Sequence, residues 1–280
     1  MTKPKVSILI AVKYLNGNLK QCISKCLELD YPDYEIIVLP DEEISLSYPK
    51  TKVVPTGNKK PGIKRDIGAQ HAEGEILAFI DDDAYPDKDW LSNAIVNFED
   101  EDIAAVGGPA VTAKEDSLRK KASGLVYESP LVSGPYFYRY KKGKKSSITE
   151  FPSCNLLVRK DIFKEIGGFE SYYWPGEDTQ FCIKIVYDLK KKIIYDPKVL
   201  VYHHRRPLFG PHLKQIANYA FHRGYLIKKY PIQLRQLSYF VPSIFVISIV
   251  FGIILSPVSS LISTFLSILL IVYALTVLLF

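Results

Sequence analysis

The chain has 280 residues, with 36 Lys and Arg against 30 Asp and Glu for a net charge of +6. That length suits one large domain with a buried core plus an appendage, and so small a charge excess gives no ground for a nucleic-acid partner. The charge is unevenly spread, however: Gln236 to Phe280 contains no Lys, Arg, Asp or Glu.

Val6 to Val12 is a β-rich run after Pro4, too short for a secretory signal, and reads as a first strand. Leu19, Ile23, Cys26 and Leu27 then recur at helical spacing, with Asn16 or Asn18 as the cap. Glu35 to Leu39 is a second strand ending at Pro40-Asp41, and Val53-Val54 a short third. Pro61 to Ala72 fits a helix opened by proline, on which His71 is expected to be packed. Glu75 to Ile80 is an apolar strand that delivers Asp81, Asp82 and Asp83 to its end. Lys88 to Phe98 is helical and Ile103 to Val106 is again a strand. This alternation predicts an α/β fold with a mostly parallel sheet, whose ligands bind beyond the strand C-terminal ends. Asp41 and Asp81 to Asp83 both fall at that edge.

Three carboxylates at a strand tip suit a divalent cation, because Mn²⁺ and Mg²⁺ favour oxygen ligands taken together with substrate phosphates. In an extended strand Asp81 and Asp83 share a side while Asp82 faces away. An acidic turn closing the strand would use the same residues.

Gly107-Gly108-Pro109 opens a less regular stretch, where the glycines serve either close backbone approach to a ligand or a tight turn. Tyr136 to Tyr140 and the lysines after it suit a membrane surface or an anionic substrate, or else a solvated hairpin. Leu156 to Val158 returns to strand, with a helix from Asp161 to Ile166. Trp174 is a candidate stacking platform for a ligand ring as much as a core residue. His203-His204-Arg205-Arg206 follows the strand Val199 to Tyr202, and one histidine, taken as His203, is assigned to metal or diphosphate. Lipid headgroups are the other partner open to this basic run. The cysteines Cys22, Cys26, Cys154 and Cys182 read as reduced thiols, mostly small buried hydrophobes, since no second Cys or His pair completes a zinc site. Pro211 to Lys229 sets Leu213, Ile216, Ala217, Ala220 and Ile227 on one face, as an interfacial helix would. Leu237 to Ser256 and Leu261 to Phe280 are each long enough to cross a bilayer core, and Phe280 inside the second run leaves full spans or a re-entrant hairpin open. The basic residues ahead of them place the preceding domain on the cytoplasmic side.

Taken together, the order of motifs resembles glycosyltransferase family 2 over roughly residues 4 to 235. The matching segments are the Val6 strand, Asp41, Lys64-Arg65-Asp66-Ile67-Gly68 with Ala72-Glu73-Gly74-Glu75, and Asp81-Asp82-Asp83 followed by Pro86-Asp87. Ile166-Gly167-Gly168-Phe169 and Gly176-Glu177-Asp178 complete the set, and Asp66 departs from the usual Asn. The resemblance implies a GT-A (Rossmann-like) fold, a UDP- or GDP-sugar donor and inversion at the transferred sugar. It implies Mn²⁺ or Mg²⁺ at Asp81 and Asp83 with His203, and donor binding by Asp41, Arg65, Asp81 and Asp82. It also implies a catalytic base at Asp178 with Glu177 beside it, although two carboxylates at a helix start also suit the helix dipole.

The expected layout is a catalytic domain over 1–235 and a C-terminal transmembrane hairpin over 236–280. Within the domain a nucleotide-sugar half covers about 1–110, an acceptor half about 111–210 and a basic interfacial helix about 211–235. The expected acceptor is a glycan or lipid-linked hydroxyl at the cell membrane, receiving a single sugar because the Gln-x-x-Arg-Trp run of processive relatives is absent. The other readings are an inactive glycan- or partner-binding member and an aspartate-based phosphotransferase. The latter is disfavoured by Ala84-Tyr85 where a Thr or Ser would receive phosphate. A dinucleotide-dependent oxidoreductase lacks its glycine motif after Val12.

Overall fold

The computed structural model describes residues 3–169, 174–234 and 236–279. The first apolar run forms β1 (Val6–Ala11), nearly all buried, as a central parallel strand covered on both faces must be. Asn16 caps α1 (Gly17–Cys26) by accepting the Leu19 N–H at 2.9 Å. β2 (Tyr34–Leu39) and β3 (Thr51–Val53) precede α2 (Pro61–His71), with proline in its first turn, and β4 (Ile76–Asp81) follows. Next come β5 (Ala84–Pro86), α3 (Trp90–Ile95), β6 (Ile103–Gly107), β7 (Ala110–Thr112), α4 (Leu118–Glu128) and α5 (Pro130–Ser133). The remainder of the domain is β8 (Ser146–Ile148), β9 (Asn155–Arg159), α6 (Lys160–Ile166), α7 (Glu177–Ile183), β10 (Lys192–Tyr195) and β11 (Val201–His203). Then α8 (Gly210–Lys229), α9 (Pro231–Leu234), α10 (Val241–Leu255) and α11 (Ser260–Leu279) end the chain.

The main sheet has the order β3-β2-β1-β4-β9-β6-β10-β8, and a small one the order β5-β11-β7. Alternation along β1 sends Ile8 and Ile10 into a core beneath α1 and α3, and Leu9 into a second core with Phe79, Phe163, Phe169 and Phe181. Those four rings meet tilted or edge-on, with neighbouring centroids 5.0–5.4 Å apart.

β9 matters most for the site. It lies antiparallel between β4 and β6, with Asn155 opposite Ile80. The chain therefore enters β9 at the edge where β1 and β4 end, and the residue before it, Cys154, comes level with Asp81. Asn155 is fully buried and pins this corner: its side chain donates to the Gly108 and Val199 carbonyls and accepts from the Trp90 indole N–H. A Cβ on Gly108 would sit 1.8 Å from the Val199 oxygen, so the glycine there serves backbone packing.

Three sequence expectations change. His71 is exposed at the end of α2 instead of packed. Residues 134–139 form a 3-10 helix that is neither a hairpin nor spread on a surface: Tyr138 packs edge-on against Tyr195, and Tyr140 stacks on Tyr127. Finally, α10 has 15 residues, about 22 Å of helix, because Leu237–Tyr239 is taken up by a 3-10 turn. Among the described residues only α11 is long and apolar enough to cross a bilayer core of roughly 30 Å.

Candidate active site

β4 carries Asp81 to the sheet edge, and β5 begins at Ala84 directly after the acidic turn. The pairing of β5 with β11 sets Ala84 opposite His203 and so returns the histidines to the aspartates. His203 Nε2 lies 3.4 Å from Asp83 and 4.0 Å from Asp81. Its Nδ1 lies 3.0 Å from the His204 carbonyl, which can only accept, so in the neutral ring Nδ1 carries the proton and Nε2 presents a lone pair. Both carboxylates thus face the Nε2 side of the His203 ring. His204 is committed elsewhere, to Asp116 at 2.7 Å and Gln21 at 2.9 Å. Arg205 is buried and bonded to Thr112 and the Ala110 carbonyl, so it serves the fold.

Asp82 turns away from the other two and accepts from the Asn16 amide at 2.8 Å, which ties the acidic turn to the α1 cap. Burial pushes its carboxyl up to about 6, with Asp83 and Asp81 adding to the rise against the Asn16 hydrogen bond. Ligand atoms of Asp81, Cys154 and His203 lie within 4.8 Å of one another.

Arg65 joins the two halves of the site. From α2 its guanidinium reaches Asp81 at 2.6 Å and Glu177 at 3.4 Å, with Arg65 and Glu177 both buried. Its Nε is buried without a partner among the described residues. Burial pushes Glu177 up to about 7, reinforced by Asp178 and opposed by Arg65. Asp178 is also raised by burial, against hydrogen bonds from the Thr179 and Ser153 N–H groups at 2.7 and 3.2 Å. Trp174 is half exposed ahead of α7, while residues 170–173 between it and Phe169 lie outside the described residues.

Asp41, just past the end of β2, is gripped by Lys64, a residue of the matching segment to which the sequence alone assigned no role. The Lys64 ammonium is buried and also donates to the Val12 and Leu39 carbonyls, so it gathers the ends of β1 and β2 around Asp41. Its signal was a lysine followed by arginine inside a half-buried helix. Asp66 keeps the acceptor role open to an Asn: its Oδ1 takes the Phe169 N–H at 2.8 Å. A Cβ on Gly168 would fall 2.5 Å from that oxygen, and φ is +76° there, so the glycine is required on both counts.

A mixed sheet whose parallel β1 and β4 end at an acidic strand tip, with an arginine behind it and a second acidic pair across from it, defines a glycosyltransferase of the GT-A type. Comparison with known proteins agrees. The chain is 23% identical to a dolichyl N-acetyl-alpha-D-glucosaminyl phosphate 3-beta-D-2,3-diacetamido-2,3-dideoxy-beta-D-glucuronosyltransferase of Methanococcus voltae, over 76% of this chain and 72% of that one. It is 25% identical to a glucosyl-dolichyl phosphate glucuronosyltransferase of Haloferax volcanii, over 62% of this chain and 53% of that one. Its fold resembles that of a mannosyltransferase from Pyrobaculum calidifontis solved in complex with GDP-Man and Mn²⁺ (TM-score 0.59, 19% identity), over 81% of this chain and 65% of the other. Residues 7–167 match the family described as Glycosyl transferase family 2, and the chain belongs to it.

Proposed function

We propose that the chain moves one sugar from a UDP- or GDP-linked donor to a hydroxyl of a lipid-linked acceptor, with inversion, at the cytoplasmic face of the cell membrane. The observation that carries this is the chain of contacts Asp81–Arg65–Glu177, which unites the acidic strand tip with the start of α7. The lipid-linked acceptor draws support from the dolichyl phosphate substrates named for the two archaeal relatives. Membrane attachment draws support from α11 and from the exposed apolar surface of α10.

The donor set suits a divalent cation, because Asp81, Asp83 and His203 gather oxygen and nitrogen ligand atoms at one corner, with His203 Nε2 3.4 Å from Asp83 and 4.0 Å from Asp81. Asp81, Asp83 and His203 would hold Mn²⁺ or Mg²⁺, which supplies Lewis-acid neutralisation of the donor diphosphate. Arg65 orients Asp81 and adds positive charge near the diphosphate as the sugar–phosphate bond breaks. Asp41, fixed by Lys64, accepts from the nucleotide base. Asp178 takes the proton of the acceptor hydroxyl as its oxygen bonds to the sugar on the face opposite the leaving diphosphate, which inverts that carbon. Glu177 holds Arg65 in place.

The test is donor binding and slow donor hydrolysis by the full chain in detergent, across UDP- and GDP-sugars, with Mn²⁺, Mg²⁺ or chelator. One donor turned over only with metal, and lost in Asp83→Ala, is the expected result. Absence of metal-dependent binding to every donor would leave a membrane-bound binding protein as the better reading.

A further inference from the structure

Cys154 is the one cysteine of the four that is not buried. Its position follows from the direction of β9: with Asn155 opposite Ile80, the chain enters the strand beside the acidic tip, and Cys154 faces the same corner as Asp81 and His203. The ligand atoms of these three side chains lie within 4.8 Å of one another. Bonds of about 2.0–2.3 Å to one shared cation put two donors at most about 4.5 Å apart, so small side-chain rotations are enough to close the set.

The chemistry of the fourth donor differs from that of the others. Carboxylates suit Mg²⁺ and Mn²⁺ alike, whereas imidazole and thiolate favour softer first-row cations. We propose that Cys154 is a ligand of the cation held by Asp81, Asp83 and His203, and that its sulfur makes the site prefer Co²⁺ and Zn²⁺ over Mg²⁺. This rests on the metal-assisted reading above and extends it from the motif to a residue outside it. On binding, the thiol proton leaves to solvent and the thiolate sulfur donates to the cation; no electron is transferred.

The experiment titrates Co²⁺ into the full chain in detergent, alone and with GDP or UDP, and records the visible ligand-field bands and the near-ultraviolet thiolate-to-cobalt band. Expected are both sets of bands saturating together in the wild type. In Cys154→Ser the thiolate band should vanish while the visible bands remain, and the Co²⁺ preference over Mg²⁺ in competition should shrink about tenfold or more. Visible bands without a thiolate band in the wild type would overturn the proposal while leaving the cation site standing, and this arm needs no variant to fold. A thiolate band that survives in Cys154→Ser would assign it to one of the buried cysteines and also overturn it. If no Co²⁺ binds at all, the cation site and the Cys154 ligand fall together.

Discussion

Asp178 is bonded by two backbone N–H groups and raised by burial, so it is both aimed and more basic than a surface carboxylate. Asparagine in its place cannot take a proton, and its single carbonyl oxygen keeps an acceptor for one of those two N–H groups, which bond different carboxylate oxygens. Asp178→Asn should therefore cut transfer by about 10²- to 10⁴-fold, while the donor still binds within about twofold of wild type in a direct titration. Loss of donor binding to the same extent would make Asp178 a structural residue. Asp66 offers a test with the opposite sign. Burial raises its carboxyl to about 6, against the Phe169 N–H and Arg65. A carboxyl whose folded value is raised favours folding while protonated, and that contribution is lost as pH climbs through the folded value near 6. Asp66→Asn keeps the bond to the Phe169 N–H and removes the charge. It should gain about 1–2 kcal/mol at pH 7.5, allowing for partial exposure, and little below pH 4. Unfolding in detergent at the two pH values checks this.

Among the elements, buried Glu150 is the junction. Its oxygens meet Arg223 of α8 at 2.9 Å, Thr179 of α7 at 3.0 Å, Arg139 of the 3-10 helix at 3.3 Å, and Tyr239 ahead of α10 at 3.3 Å. The helix bearing Asp178 is thereby coupled to the segment that leads into the apolar tail. Burial alone would raise Glu150, but Arg139 and Arg223 override it and hold the carboxyl at about 2. That contribution is complete above the ordinary glutamate range and lost as pH falls through the folded value. Glu150→Gln leaves two arginines short of a counter-charge and should cost about 3–5 kcal/mol; it should also flatten acid unfolding. Tyr239→Phe, which deletes one hydroxyl, should cost about 1 kcal/mol. None of this junction was legible beforehand, because its members come from five separate stretches and no short pattern relates them. α4 escaped notice for a different reason: its buried residues are Ser123, Gly124 and Tyr127, while Leu118 and Leu125 point outward, so no apolar stripe marked it. β1 and β4 were plain because strands covered on both faces read as unbroken apolar runs. The acidic tip was plain because its residues are contiguous. The choice of His203 over His204 is decided by which ring nitrogens already have partners, and the nearness of Cys154 by the antiparallel direction of β9. Local sequence encodes neither.

At the scale of the whole molecule, the proposed membrane attachment raises the question of what would hold the domain against a bilayer. Residues 205–235 contain seven basic residues and no acidic one, which reads as electrostatic attachment. The fold consumes part of that charge: Arg205 is buried beside Ala110, and Arg223 is paired with Glu150. In contrast, Phe209, Leu213 and Phe221 stand exposed at and along α8, and most of the described apolar side chains of the tail that follows in the chain are exposed as well. Apolar contact should therefore outweigh charge. A chain ended after Phe240, which keeps the Tyr239 contact with Glu150, should stay on vesicles containing anionic lipid when salt rises from about 0.05 to about 0.5 M, although such salt screens exposed charges beyond a few ångströms. Replacing Leu213 and Phe221 by serine removes two side chains worth about 1.5–3 kcal/mol each on full burial, and should weaken vesicle binding about a hundredfold or more in a flotation assay. Release by salt alone, with the double variant still bound, would mean that Arg206, Lys214 and Lys228 make the attachment and that the apolar face of α8 is turned away from lipid.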